Sequence, residues 1–352
     1  MIADVVIAGA GPAGSTCAAL CSAAGLRVIV LERAEFPREK VCGDCLNPKC
    51  WPVFEMLGVS AEMNEVTQAR IHEVEIGTIS GRKFRYSVVK AGRGEVSIKR
   101  SILDALLAKR ASALGAEMHH GQVVTQVETR GTHWEIFAGQ EKFHARYLVA
   151  ADGRNSTVAR LAGVLPPVTR DRVALQAHLP RGATFENRIA LWLLPQGYCG
   201  MADVGGDLLN VCLVSGPKEI GSLKAWASAE LGAGHAIDWR SIAPLERGPV
   251  SPLQGTLLLV GDAARVVEPF TGEGIYYALA TGALAARFIT GSIDAKQFRR
   301  EYSDLYAGRL WVNQLARAAV THPHIASHIL ERVPFSSAIL RRLTTKVVGG
   351  HL

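Results

Sequence analysis

The sequence predicts an α/β fold: a mostly parallel, helix-covered sheet, interrupted by antiparallel β-rich segments and followed by a helical C-terminal tail. Three observations predict it. Short apolar runs at Val5-Val6-Ile7, 28–31 and 257–260 are bounded by Gly-rich turns, the pattern of parallel strands buried on both faces. Two stretches, at about 69–95 and 165–250, are instead rich in alternating β-formers. Nearly everything after Gly272 carries helical periodicity. The chain has 352 residues, 48% of them hydrophobic and 20% charged, which suits two domains or one α/β unit with an inserted sheet. Thirty-five glycines and 7% aromatics fit tight βα turns and argue against disorder.

The first 33 residues read strand, Gly-rich turn, helix, strand. Val5-Val6-Ile7 is the first strand, Ala18-Ala19-Leu20 lies on a small-residue helix, and Val28-Ile29-Val30-Leu31 is the second strand, ending at Glu32. Ile71, Val74, Ile76 and Ile79, then Phe84, Tyr86 and Val88, form two segments parted by Ser80-Gly81, as in an antiparallel pair. Residues 101–114 follow a helical pattern, with Ser101 as the expected N-cap and Gly115 as the stop. Short strands are expected at 123–127, 134–137 and 147–151, and a second β-rich stretch spans 172–214.

Gly9-Ala10-Gly11-Pro12-Ala13-Gly14 joins the first strand to the first helix. Gly9 permits the tight turn, Gly11 lets backbone approach a pyrophosphate, and Gly14 lets helix and strand pack closely. The helix N-terminus then offers N–H groups and partial positive charge to phosphates. Glu32, at the end of the next strand, stands where a carboxylate accepts from a ribose diol, with Arg33 beside it. Together these features make the framework Rossmann-like and dinucleotide-binding. Two later motifs, Ala151-Asp152-Gly153-Arg154 and Gly261-Asp262-Ala263-Ala264, each place an Asp after a buried strand, where open α/β sheets bind ligands. Gly272-Glu273-Gly274-Ile275 opens a helix whose N-terminus can stabilise the negative charge of a reduced flavin.

These motifs, in this order, resemble the FAD-dependent oxidoreductases of the p-hydroxybenzoate hydroxylase fold, over most of residues 1–290. The resemblance implies FAD as cofactor and NAD(P)H as a transient reductant without its own Rossmann domain. Arg100 matches the family's arginine that faces the flavin pyrophosphate or ribityl chain. Phe36-Pro37-Arg38-Glu39-Lys40-Val41-Cys42-Gly43-Asp44 and Pro269-Phe270-Thr271-Gly272-Glu273-Gly274 are similar to the geranylgeranyl reductase branch. Aromatic hydroxylases carry a His after Gly-Asp-Ala-Ala and then Gly-Gln-Gly-Met/Leu-Asn, whereas this chain has Arg265, Glu273 and no such Asn. Halogenases carry Trp-x-Trp-x-Ile-Pro, and the reductases Tyr-x-Trp-x-Phe-Pro. In Ala190-Leu191-Trp192-Leu193-Leu194-Pro195 the reductase residues Trp192 and Pro195 match, while Ala190 and Leu194 depart. The resemblance makes Trp192 and Pro195 substrate-cavity residues. It also divides the chain into an FAD-binding domain (1–68, 96–164, 251–290), a substrate-binding β-rich domain (69–95, 165–250) and a basic helical region (291–352).

Cys42-x-x-Cys45 and Cys50 lie within nine residues, yet no fourth ligand completes a zinc or iron–sulfur set, and a disulfide does not suit a cytoplasmic enzyme. By resemblance Cys42 lies beside the flavin, as proton donor or substrate contact; a buried thiol is the alternative. Cys17, Cys21, Cys199 and Cys212 read as core residues. His322, His324 and His328 read as solvated tail histidines, and no metal site is expected. The net charge of +7 is concentrated at the C-terminus, where residues 287–352 hold ten Lys/Arg against four Asp/Glu. That distribution excludes a diffuse nucleic-acid surface and points to a solvated face, an anionic membrane surface or an acidic carrier protein.

The expected activity is reduction of a double bond in a lipophilic prenyl, acyl or polyketide-like substrate, by hydride from flavin N5. A monooxygenase on the same fold and an electron-transfer flavoprotein serving a quinone or protein partner are the alternatives. No run of eighteen apolar residues spans a membrane, so a cytoplasmic protein, peripheral to the membrane at most, is expected.

Overall fold

The computed structural model describes residues 2–88, 95–170, 172–182, 185–232, 237–269, 272–333 and 338–342. Among these, an eight-stranded sheet forms the base of the molecule. Its parallel strands are β1 (Ala3–Ala8), β2 (Val28–Leu31), β8 (Glu117–His119), the C-terminal part of β11 (Glu141–Ala150) and β20 (Leu257–Leu259), in the spatial order β20-β11-β1-β2-β8. β19 (Leu253–Gln254) pairs with β20, and the hairpin of β9 (Val124–Arg130) and β10 (His133–Ala138) extends the N-terminal half of β11. The helices α1 (Pro12–Ala23), α4 (Arg100–Ala113) and α7 (Gly274–Ile289) belong to this layer, α5 (Thr157–Leu161) follows β11, and α8 (Ala295–Tyr306) follows α7.

Packing here is set by small side chains. α1 reads Pro-Ala-Gly-Ser-Thr-Cys-Ala-Ala-Leu-Cys-Ser-Ala, so its backbone can approach neighbours that bulky residues would hold off. The closest approach is to α7, where a methyl group on Gly282 would lie 2.3 Å from the Ala13 carbonyl oxygen. α4 begins at Arg100 with Lys99 as its N-cap, not at Ser101, because Lys99 is the last residue with extended dihedrals. Gly115, at φ +103°, ends it as expected.

The second sheet has seven strands in the order β17-β13-β16-β15-β14-β5-β6. They are β5 (Glu73–Gly77), β6 (Lys83–Ser87), β13 (Val173–Pro180), β14 (Arg188–Leu194), β15 (Gly197–Asp203), β16 (Leu208–Ser215) and β17 (Arg240–Ile242). All neighbours are antiparallel except β5 and β14, which run parallel and join residues distant in sequence. α6 (Ile220–Glu230) covers one face through Leu223 and Ala227. The other face is turned toward the layer of the eight-stranded sheet, across a cavity. β4 (Ala69–Ile71) and β7 (Glu95–Ser97) do not join this sheet. They pair instead with β3 (Cys45–Leu46), just after the Cys42-Gly43-Asp44 motif and ahead of the short helices α2 (Trp51–Leu57) and α3 (Ser60–Val66). β12 (Val168–Arg170) and β18 (Glu246–Arg247) form a separate two-stranded ribbon.

The C-terminal helices α9 (Leu310–Thr321) and α10 (Pro323–Arg332) lie across the second sheet. A buried polar network fixes α9. Glu268 accepts from Arg172 at 2.8 Å and from Arg317 at 3.4 Å, while its backbone N–H donates to Asn313. Glu273 accepts from Asn313 and Arg309, each at 3.2 Å. α10 is tied by Ser327, which accepts from the Ile79 N–H, and by Glu331, which accepts from Ser80.

The α1–α7 approach has a measurable consequence. Gly282→Ala forces its methyl into the Ala13 carbonyl, and overpacking of this kind costs about 1–3 kcal/mol. Equilibrium urea unfolding should show a lowered midpoint with an unchanged slope. A midpoint equal to wild type would contradict the packing.

Candidate cofactor and substrate site

The glycine loop between β1 and α1 is built from close contacts. Gly9 has φ +99°, and a methyl there would lie 2.6 Å from the Ala151 carbonyl oxygen; one on Gly14 would lie 1.9 Å from the Gly9 carbonyl oxygen. Gly11 is different. It is the N-cap of α1, and a methyl there would meet only the guanidinium ends of Arg38 and Arg100, at 3.8 and 3.9 Å. Gly11 therefore presents open backbone to a cationic surface. Pro12 and Ala13, the first helical residues, line the same space.

Glu32 is buried, and its two carboxylate oxygens accept the Ala10 N–H at 2.8 Å and the Ala34 N–H at 3.1 Å. Each oxygen keeps a lone pair for a ribose hydroxyl, but the first work of Glu32 is to hold the loop. Arg33 is exposed, and Arg38 stands near the loop instead, 3.6 Å from Glu32 and 3.0 Å from Asp104. Asp104 also accepts both arms of Arg100, at 2.8 and 2.7 Å. Nothing in the local sequence separates Arg33 from Arg38; the chain doubles back between them.

The two Asp motifs serve unequal roles. Asp152 accepts the Thr157 and Val158 N–H groups at 2.7 and 3.1 Å, capping α5, while Gly153 and Arg154 face the cavity. Asp262 lines the cavity and is held by Arg154 at 3.2 Å. Gly261, at φ +57°, starts the turn, and its N–H donates to Thr281. Glu273 is fully buried in the α9 network, so backbone of Gly272 and Gly274 and the Ile275 side chain reach the cavity at the start of α7. Phe270 and Thr271 lie outside the described residues.

Gly11, Arg100, Arg154, Asp262, Gly272 and Gly274 border one end of a cavity of about 660 Å³, while the side chains of Glu32, Asp152 and Glu273 stay behind its wall. Its second wall is the inner face of β5 and β14–β16, with Ile76, Leu191, Leu193, Tyr198, Ala202 and Val214. Trp192 lies on the opposite face. It packs edge-on to Trp226 of α6, 6.1 Å between centroids, and donates to the buried Glu75 at 2.8 Å. Strand alternation is the reason: with Leu191 and Leu193 inward, Trp192 must point outward. Pro195 is exposed at the β14–β15 turn, so neither residue lines the cavity.

The far end is framed by α9 and α10. Leu315, Ile325, Ile329 and Ile339 are exposed and also line the cavity, so they form its mouth. Seven of the twelve exposed large apolar side chains among the described residues lie between 310 and 339, which identifies this rim as the apolar part of the surface. His322, His324 and His328 are all exposed, and of the three His322 stands on the rim. No group of three metal-type ligands occurs among the described residues.

Thiols and acids meet near the cofactor end. Cys42, Cys45 and Cys212 line the cavity, and the Cys212 thiol donates to the Cys42 carbonyl at 3.2 Å. Cys212 was expected in the core, but its position on the inner face of β16 exposes it to the cavity; Cys17, Cys21 and Cys199 are buried. Burial pushes the Cys42 thiol up, against the opposing pull of Arg100. Asp44, at φ +56°, accepts from or pairs with His178 at 2.8 Å and locks the turn after Cys42 to β13. The sequence reading did not single out Glu95. This residue, first in β7, is 6% exposed and lines the cavity, and burial raises its carboxyl to about 7.

Residues 2–178 match the family described as FAD binding domain. The chain is 30% identical over 327 residues to digeranylgeranylglycerophospholipid reductase 1 of Methanopyrus kandleri, covering 86% of this chain and 85% of that protein. It is 29% identical over 320 residues to menaquinone reductase of Mycolicibacterium smegmatis, covering 82% of this chain and 76% of that one. The solved structure of the flavin-dependent brominase Bmp2 superposes with a TM-score of 0.79 at 22% identity, covering 98% of this chain and 93% of that one, which shows a common fold.

The residues present fit FAD. Arg38, Lys40 and Arg100 converge on the Gly11 side of the cavity, matching a pyrophosphate. The Arg154 Nη1 is buried without an acceptor among the described residues, as a group reserved for a ligand oxygen would be. Burial, aided by Arg100 and Arg38 and resisted by Asp104 and Asp262, lowers the Lys40 ammonium to about 8. An anion beside it favours the charged form, so FAD affinity should weaken as pH rises through 8. Fluorescence titration of the apoprotein tests this: the fall above pH 8 should vanish in Lys40→Arg, and persistence of the same fall in that variant would remove Lys40 from the site. With this loop, this cation set and these relatives, the chain belongs to the FAD-binding domain family of flavin-dependent oxidoreductases, in its geranylgeranyl reductase-like branch.

Proposed function

We propose that the protein uses NAD(P)H to reduce its bound FAD and then reduces a carbon–carbon double bond in an isoprenoid chain of a lipophilic substrate. One observation carries the reading. The cavity runs from the glycine loop, past a wall of aliphatic side chains on β5 and β14–β16, to an apolar mouth on α9 and α10. Such a channel binds an extended hydrocarbon chain by burial of apolar surface, at roughly 25 cal/mol per Å². The names of the two reductase relatives support the same substrate class.

Reduced FAD supplies a hydride at the ring. The chain's own residues do the rest. Gly11 N–H and the Arg38, Lys40 and Arg100 cations bind the cofactor's phosphates, and the α7 N-terminus at Gly272 and Gly274 favours negative charge on its ring system. Leu191, Leu193 and Val214 orient the alkene and exclude water. Asp44 and His178 hold the Cys42 turn against the sheet, so this part of the cavity wall stays in place.

Mass spectrometry of an anaerobic reaction tests the reading. Enzyme, NAD(P)H and a polyprenyl lipid or menaquinone should give a product two hydrogens heavier without oxygen. Strict dependence on O₂, with one oxygen atom gained, would assign a monooxygenase instead.

The same reading makes an anionic membrane surface the source of substrate. The apolar rim at Leu315, Ile325, Ile329 and Ile339 is followed by Arg341 and Arg342, with Lys346 beyond the described residues. A basic residue near an anionic surface contributes about 1 kcal/mol. Neutralising Arg341, Arg342 and Lys346 together should lower partitioning onto anionic vesicles by roughly two orders of magnitude and leave neutral vesicles unaffected. Unchanged sedimentation with anionic vesicles would make the tail a merely solvated face.

A further inference from the structure

We infer that Glu95 is the proton donor of the reaction, the group that completes double-bond reduction after hydride transfer. The inference rests on the reductase reading and names a residue for a step that reading leaves open.

Position is the first support. Glu95 leads β7, a strand that pairs with β3 on one side and β4 on the other, and Glu95 itself is paired with Ile71 of β4. Its side chain reaches the cavity between the cysteine turn and the Gly272 turn. A methyl group on Gly272 would lie 3.7 Å from Glu95 Oε1, and Cys42 and Cys45 line the same region. Gly272 precedes α7, which starts at Gly274 and whose N-terminus would face the flavin ring. The carboxyl is therefore at the reactive end of the channel, away from the mouth.

Isolation is the second. Glu95 is 6% exposed, and no ion pair or hydrogen bond to its carboxyl occurs among the described residues. An unpaired buried carboxylate is expensive, so the group holds its proton until a reaction demands it. Burial alone raises it to about 7. The titratable groups that face it are the thiols of Cys45 and Cys50, on and just after β3. The β4 residue paired with it is the apolar Ile71, and Gly272 brings no side chain. Cys42 is the weaker acid, since burial pushes its thiol above the ordinary thiol value. General acids work best when they titrate near the working pH, which favours the carboxyl over the thiol.

The step balances. Hydride carries two electrons and one hydrogen to one alkene carbon, breaking the π bond. The second carbon forms its C–H bond with the Glu95 proton, leaving a carboxylate that regains a proton from solvent. The alkene is reduced, and the NAD(P)H-derived electron pair is consumed.

Single-turnover reduction of an isoprenoid double bond by prereduced holoenzyme tests the assignment, alongside infrared titration of the FAD-loaded protein without substrate. In wild type the rate should be flat below pH 7 and fall about tenfold per unit above it, because only the protonated acid donates. Glu95→Gln should retain FAD and its reduction by NAD(P)H, slow alkene reduction by about 10²–10⁴-fold, and lose that limb. Glu95→Asp should recover part of the rate together with the limb. In the infrared, wild type should show a carboxyl band lost with a midpoint near 7, and Glu95→Gln should lack it. A Glu95→Gln variant that keeps the rate or the limb, a limb that disappears in Cys42→Ser instead, or a carboxyl titrating in the ordinary range would each overturn Glu95 as donor. Wild type unable to reduce any isoprenoid double bond, with the carboxyl titrating near 7, would overturn the reductase reading and the donor role with it.

Discussion

Close contact between backbones at the β1–α1 turn is the constraint on which the rest of the site depends. Gly9 lies against the Ala151 carbonyl, Gly14 against the Gly9 carbonyl, and Gly282 against the Ala13 carbonyl. Any side chain at these points would separate β1, β11, α1 and α7. Because they touch, the open backbone of Gly11, the cavity-facing Asp262 and the start of α7 converge on one space. Glu32 seals the arrangement from beneath through the Ala10 and Ala34 N–H groups. A short stretch of glycine geometry thereby positions residues drawn from opposite ends of the chain.

Charge is graded along the cavity. Arg38, Lys40, Arg100 and Arg154 cluster at the cofactor end, where Asp104 and Asp262 balance part of their charge. The thiols and Glu95 border this end, and beyond them the middle is aliphatic. The acids of the α9 region, Glu268 and Glu273, are fully buried but spend their lone pairs on Arg172, Arg309, Asn313 and Arg317. They fasten α9 and stay out of the reaction space. Among the described residues Glu268 and Glu273 are saturated with donors and structural, whereas Glu95 has none, which is what suits it to the proposed proton transfer.

Much of this was legible in the sequence wherever the signal was local. The glycine loop, Glu32, the two Asp turns and the Gly272 turn each combine a strand end with a residue type that the backbone requires, and the fold assembles them as the motif order implies. The misplacements arise where the outcome depends on tertiary contacts. Trp192 looked like a cavity residue, yet both faces of β14 are covered, and period-two alternation does not say which face meets the cofactor layer. Arg33 and Arg38 are distinguishable only after the chain turns back. Cys212 has the composition of a core residue and is exposed to the cavity by its place on β16. Glu95 carries no motif; its character comes from the absence of a partner, which only the folded chain reveals.

The division of the cavity between scaffold and rim has a consequence for how such a protein diversifies. The cofactor end is built from backbone contacts that tolerate almost no substitution. The mouth is built from exposed side chains, Leu315 on α9, Ile325 and Ile329 on α10 and Ile339 beyond it, while the helix anchors Asn313, Arg317 and Ser327 point elsewhere. Exchange of bulk at those four positions alters the girth of the entrance while leaving the redox machinery and the helix anchors untouched. Selectivity and chemistry are thus separately mutable in one chain, and new substrates can be admitted without rebuilding the catalyst.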